Sequence, residues 1–322
     1  MTAPAGDWCA SAIGKRLSRR DSVVATRVEI GEERTDGGWR DGIRRRPLTW
    51  FFVLANLLSW LAWTPYILSG NGLGVLPFRF PEVLGTAQFA GVLPGAYLGP
   101  IGAAFFVTAV ADGRTGLRRW TARLFKWRVS WLWYVGVVLS VPALLTIATV
   151  ALSEQNPVLP AVATLVAYVP GLILQLLTTG LAEEPGWRDF ALPRLQHRYG
   201  PLGGTLILGP LWGVWHLPLF FTEWGGWPDV TWLTPLEFIA TCVTFSIIMT
   251  WVFNRTGQSL PLAMLLHTSV NNFFSLAWSE MFPGLSSRDT THAFLLASTA
   301  VALVLLLATR GRLGYRRPEL TA

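Results

Sequence analysis

Residues 158–188 read VLPAVATLVAYVPGLILQLLTTGLAEEPGWR. From Val158 to Ala182 the stretch carries no charge and is long enough to cross a bilayer core of roughly 30 Å. It then ends in Glu183-Glu184-Pro185-Gly186-Trp187-Arg188. A plain membrane anchor gains nothing from two acids and a base at that point. Ionisable groups within membrane helices are costly, so they default to a functional hypothesis. Working outward, later apolar stretches hold two further polar sets at helical spacing, His216 after Trp212 and Asn271 after His267.

The composition supports the membrane reading. Apolar residues make up 52% of the 322-residue chain and charged residues 14%, with 17 Trp and 18 Phe. A soluble protein of this size needs far more surface charge. The expected fold is all-α, a polytopic membrane helix bundle. A net charge of +7 could suggest nucleic acid as a partner. The basic residues instead cluster beside the apolar stretches, as membrane topology requires, so nucleic acid is rejected. Cys9 and Cys242 are far apart and suggest neither a disulfide framework nor a metal site.

Eight apolar stretches are candidate spans: 48–68, 88–111, 130–152, 158–182, 202–222, 232–253, 259–278 and 292–309. Arg44-Arg45-Arg46 precedes the first. Further basic clusters follow the second (Arg114 to Arg128), the fourth (Arg188, Arg194, Arg198), the sixth (Arg255) and the eighth (Arg310, Arg312, Arg316, Arg317). The alternate loops hold only Arg79 and Arg288. This pattern predicts eight spans in the cell membrane with both termini cytoplasmic. Residues 1–46, with ten Lys/Arg against seven Asp/Glu and no apolar run of useful length, read as a disordered cytoplasmic tail without a signal peptide. The bundle is expected over 47–310 and a basic tail over 311–322. Leu117, Trp120, Leu124 and Trp127 recur at helical spacing among arginines. That segment reads either as an amphipathic helix on the cytoplasmic leaflet or as a solvated basic loop. No internal repeat of the transporter kind is found.

Adjacent helical residues point about 100° apart, so Glu183 and Glu184 cannot serve one point equally. Glu184 and Arg188 are four apart and can pair, which leaves Glu183 free to point into the bundle. Carboxylates withdrawn from water are better general bases. Pro185 cannot donate back to Leu181, so the helix is expected to bend there. Trp212 shares a face with His216 and can buttress its ring, and His267 shares a face with Asn271. His197 and His292 lie at loop or span edges and read as ordinary. The plain alternative is an interfacial helix end with solvated charges and hydrogen-bonded core histidines.

Three chemistries use this set. Glu183 and His216 could activate a water against a peptide carbonyl, with His267 and Asn271 donating to the oxyanion. Glu183, His216 and His267 could instead hold zinc, which lowers the pKa of bound water. The groups could also form a proton relay in a transporter. No G-x-S-x-G or H-E-x-x-H is present, which argues against those serine and zinc enzymes.

Glu-Glu-x-x-x-Arg, then aromatic-x-x-x-His, then His-x-x-x-Asn, each on its own span, resembles the CAAX-protease and bacteriocin-processing (CPBP, or Abi) family of intramembrane endopeptidases. That family includes the type II CAAX prenyl endopeptidases. The resemblance covers about 160–275. It implies that Glu183 is the water-activating base aided by His216, that His267 and Asn271 form the oxyanion hole, and that Glu184 and Arg188 support them. It implies a peptide or protein substrate, membrane-associated or lipidated, with membrane lipid as the other partner. It leaves open a metal-free glutamate mechanism or a metalloprotease one. A non-catalytic scaffold or immunity protein of the same fold is the alternative, with a proton-coupled transporter third.

Trp212 stands where the family commonly has Phe. Asp189 stands where it often has Gly, and is expected to compete with Glu184 for Arg188. A further expectation concerns depth. From Leu202 to His216 is about 21 Å of helix at the usual rise per residue. Either Gly203-Gly204 is still loop, or span four continues as helix past Glu183 and plunges back; the preferred reading is a fifth span starting near Leu206, with the site some way inside the cytoplasmic leaflet.

Overall fold

The computed structural model of the chain describes residues 38–316. Within them the chain is helical, with no strand. Helix α1 is Trp39–Arg45, α2 Pro47–Leu68 and α3 Leu93–Ala111, the last with a π turn at Tyr97–Ile101. Helix α4 is Gly113–Leu124 and α5 Trp131–Ser153. A long helical run, α6, spans 162–199, and α7 spans 201–215. Helix α8 is Leu233–Arg255, α9 Leu260–Asn272 with a π turn after it, and α10 Ser287–Thr309.

The polytopic helical fold is as expected from the sequence. Among the described residues, six helices are long and apolar enough to cross a membrane. The expected count of eight is not reached on that criterion, for two reasons. The stretches 158–182 and 202–222 lie on either side of the turn at Gly200 and count together as the single run Val162–Phe221. The stretch 259–278 forms an α-helix of only 13 residues before its π turn.

The expected start of the fifth span is corrected. The helix does not stop at Glu183 but continues to Tyr199, and the chain turns at Gly200 (φ 74°, ψ 170°). Only glycine adopts that backbone without strain, and Pro201 is well suited to open the next helix. Gly203 and Gly204 are therefore helical, and α7 begins at Pro201 rather than near Leu206.

Helical structure also begins before the expected boundary at residue 46. In α1, Ile43 is buried and Arg44 Nε donates to the Val110 carbonyl at 3.3 Å. The rest of the expected N-terminal tail, with Cys9, lies outside the described residues. At the other terminus, Leu313 is buried against Ile247 and Ala302. Cys242 is a free, buried thiol.

The helices meet at two ends of different character. At one end α4 docks on the α6 run, where Arg123 pairs with Asp189 and Trp120 Nε1 donates to the Pro185 carbonyl at 3.0 Å. Arg194 also binds Asp112 there at 2.6 Å. The segment read as a surface helix or basic loop is thus a helix whose Trp120 is buried against the bundle. At the other end Glu223 accepts from Tyr66, Asn71 and Arg79. Glu280 there accepts from Thr164 and the Ala161 amide. Between the ends the core is aromatic: Phe51 packs on Trp187 and Phe190, and Trp215 on Trp187 and Trp63. Trp215 Nε1 donates to Ser59 Oγ at 2.7 Å. That bond satisfies the one polar atom of the buried indole.

Candidate active site

The Glu pair sits between two π turns of the α6 run, Leu176–Gly180 and Pro185–Ala191. Proline at 185 cannot supply a hydrogen bond to the preceding turn, and a π turn, Pro185–Ala191, starts there. Gly186 permits the close approach of α3, since a Cβ there would lie 2.6 Å from the Pro100 carbonyl oxygen. The residues carrying the acids are thereby clamped between α3 and α4.

Glu183 and Glu184 are both buried, and their surroundings separate them. Glu184 is fully enclosed. Arg188 Nε lies 3.2 Å from its Oε2, and His267 Nδ1 lies 2.7 Å from its Oε1. The guanidinium also reaches Ser246 Oγ at 3.4 Å and lies over the Trp212 ring at 4.1 Å. The i,i+4 pairing read from the sequence is present. The expected competition from Asp189 is not, because Asp189 is engaged by Arg123 of α4. An ion pair this deep is sustained only when each charge is matched and hydrogen-bonded.

Glu183 takes a different partner. Trp212 Nε1 donates to its Oε2 at 2.8 Å. The tryptophan expected to buttress His216 does so, its ring meeting the imidazole edge-on at 6.0 Å, and it also holds the carboxylate. Its backbone holds the imidazole as well, since His216 Nδ1 lies 2.9 Å from the Trp212 carbonyl. A carbonyl only accepts, so Nδ1 carries the proton and Nε2 keeps a lone pair. The His216 ring is boxed by Trp215, Trp224 and Phe238, with centroids 4.5, 5.5 and 4.9 Å away. At His267, Nδ1 faces the Glu184 carboxylate, the acceptor of that bond. The Asn271 side chain makes no hydrogen bond to the protein among the described residues, whereas the neighbouring Asn272 Nδ2 donates to the Tyr168 carbonyl at 3.0 Å.

Glu183, His216, His267 and Asn271 line one cavity of about 530 Å³. Sequence spacing brought each pair together on its own helix, and packing brings the helices around this space. Glu184 and Arg188 lie outside the lining. Among the described residues no three or more His, Cys, Asp and Glu side chains form a set able to hold a metal ion. Glu183, His216 and His267 thus do not fit the zinc arrangement weighed from the sequence. Three contributors were not legible in the spacing. Trp224 and Phe238 come from a loop and the start of α8, and Ser246 is one hydroxyl among many on α8. Trp120 and Arg123 carried a helical signal, but nothing in the sequence said what they would pack on.

Residues 164–273, which contain all six candidate residues, match the family described as Type II CAAX prenyl endopeptidase Rce1-like. Over 108 residues the chain is 32% identical to CAAX prenyl protease 2 of Methanococcus maripaludis. That match covers 32% of this chain and 39% of the relative, so the chain spans about two fifths of the curated relative's length. The family resemblance read from the three motifs is borne out over this stretch.

Proposed function

We propose that the protein is an intramembrane endopeptidase and that Glu183 is its general base. The reading rests on one observation. Two adjacent buried carboxylates have opposite fates, Glu184 being neutralised by Arg188 and His267 while Glu183 faces the cavity held by a single indole N–H. A scaffold has no use for the second of these.

In this mechanism a water enters the cavity and gives a proton to Glu183, with the lone pair on His216 Nε2 orienting it. The oxygen attacks the carbonyl carbon of the scissile bond, and the carbonyl oxygen becomes an oxyanion. His267 Nε2–H and the Asn271 amide donate to that oxygen. Glu184, bonded to the His267 Nδ1 at 2.7 Å, orients the ring for that bond. The tetrahedral species collapses, the C–N bond breaks, and Glu183 returns its proton to the leaving amine. Arg188 keeps Glu184 in place and, through the Trp212 ring, the indole that holds Glu183. The substrate is a peptide or protein, CAAX-type or a bacteriocin-like prepeptide, and the enzyme is a multi-pass protein of the cell membrane with both termini cytoplasmic.

The test compares new peptide termini in membranes containing wild-type protein or Glu183→Gln, a change that keeps shape and removes the base. Termini made only by wild type are expected. Identical termini at matched expression would point instead to a non-catalytic descendant of the fold. Loss of a solute flux, with no termini altered, would point to a transporter.

A further inference from the structure

The cavity occupies one half of the bundle. Its walls include Leu84, Thr86 and Gln88 from the α2–α3 loop, Trp224 from the α7–α8 loop, and Phe238 and Phe294 near the starts of α8 and α10. Each of these belongs to the end at which Glu223 and Glu280 are bound. Towards the other end the lining ends at Glu183 and His267. Behind them lie Glu184, Arg188, the buried Trp187 and the contacts of α4. The mouth is marked by Leu84, 74% exposed, and by exposed Gly85 and Ser275.

The two ends carry opposite charge. The closed end holds Arg44 to Arg46, the arginines of α4, Arg198 and Arg255. Of these, Arg114, Arg118 and Arg119 are exposed with no acidic partner among the described residues. The open end has Arg79, already bound to Glu223, and Arg288, among Glu82, Glu154, Asp229 and Glu280. Lys and Arg near span ends remain on the cytoplasmic side. The closed end is thus the cytoplasmic one.

We infer that the substrate reaches Glu183 from the non-cytoplasmic side: the peptide is an exported or outer-leaflet-anchored chain, and cytoplasmic lipidated C-termini are not presented to this cavity. This reverses the sequence expectation of a site in the cytoplasmic leaflet. That expectation counted Glu183 as the cytoplasmic end of its span, whereas the helix runs on to Tyr199. The added length is about 24 Å at the usual helical rise. The inference rests on the endopeptidase reading for the word substrate, but the direction of the opening does not.

The test is thiol accessibility in the full-length protein, with Cys9→Ser and Cys242→Ala as background. One variant adds Leu84→Cys at the mouth and another adds Arg118→Cys on α4, with Glu82→Cys as a second probe of the mouth loop if Leu84→Cys fails to accumulate. Cells are treated with a membrane-impermeant maleimide before and after permeabilisation. Full labelling of the mouth cysteine in intact cells is expected, with Arg118→Cys labelled only after permeabilisation. The reverse pattern, or labelling of Arg118→Cys in intact cells, overturns the inference. Labelling does not depend on catalysis, so it stands or falls separately from the Glu183→Gln comparison. If the labelling is as expected but Glu183→Gln changes no termini, the cavity faces outward and the protease reading fails.

Discussion

Glu184→Gln separates the structural from the catalytic part of the buried ion cluster. The replacement is isosteric but removes the charge that faces Arg188 Nε at 3.2 Å and His267 Nδ1 at 2.7 Å. Arg188 would face a neutral amide in place of the carboxylate, with the Ser246 hydroxyl and the Trp212 ring as its other contacts. Removing one partner of a buried pair costs about 3–5 kcal/mol, so the melting temperature should fall clearly. His267 would lose the carboxylate that orients its ring towards the oxyanion. Loss of one oxyanion donor costs about 10²–10³ in kcat, or about 2.7–4 kcal/mol, with KM little changed. The double variant Glu184→Gln/Arg188→Met removes both charges, and apolar replacement of a buried pair is often neutral in stability. It should therefore recover most of the melting temperature and none of the kcat. The assay is cleavage of the identified substrate by protein in lipid vesicles, alongside thermal unfolding in the same vesicles. Recovery of kcat in step with stability would show that Glu184 only holds the fold, and would refute its role in orienting His267.

Trp120→Phe leaves the buried Pro185 carbonyl without its 3.0 Å donor. A loss of about 1–3 kcal/mol in stability is expected. Thermal melting checks this, and an unchanged melting temperature would mean that α4 does not brace the Glu-bearing segment. Glu280 is held below the usual carboxylate range by the Thr164 hydroxyl first and then by the Ala161 amide. A depressed folded-state pKa contributes stability at neutral pH that is lost as pH falls through it. The melting-temperature gap between wild type and Glu280→Gln should accordingly be present at neutral pH and close as the medium is acidified through the carboxylate range; a gap that widens would contradict this. Because Glu183, His216 and His267 are not arranged as a metal-binding set, a chelator should leave the wild-type termini in place. Their loss on chelation, with restoration by zinc, would overturn the glutamate mechanism.

The sequence was most legible where chemistry is rare. Carboxylates and imidazoles inside apolar stretches stand out because bilayer energetics exclude them without a reason. Helical spacing alone assigned Glu184 to Arg188, and Glu183 to the cavity. What it could not supply was the contact between elements far apart in the chain. Asp189 has two candidate arginines by spacing and charge, and only the docking of α4 selects Arg123. Trp212 does meet the His216 ring edge-on at 6.0 Å, as its spacing implied, but its second role was not legible. The i,i+4 rule links its side chain to His216, whereas the indole N–H crosses to Glu183 on another helix. The turn at Gly200 was within reach, since Gly followed by Pro is a common stop and restart of helix. The Gly203-Gly204 pair drew the expected start of the next helix too far along the chain.

The closed floor of the cavity has an electrical consequence. A water-accessible space that reaches to Glu183 from one side leaves the membrane potential to fall across the remaining thickness, where Arg188, Glu184 and Trp187 are packed. Moving a unit charge through the whole potential is worth about 2.3 kcal/mol per 100 mV. The ion cluster that steadies the catalytic groups is therefore also part of the membrane's insulation, and charges rearranging above it during a turnover move within a field steeper than that of the surrounding bilayer.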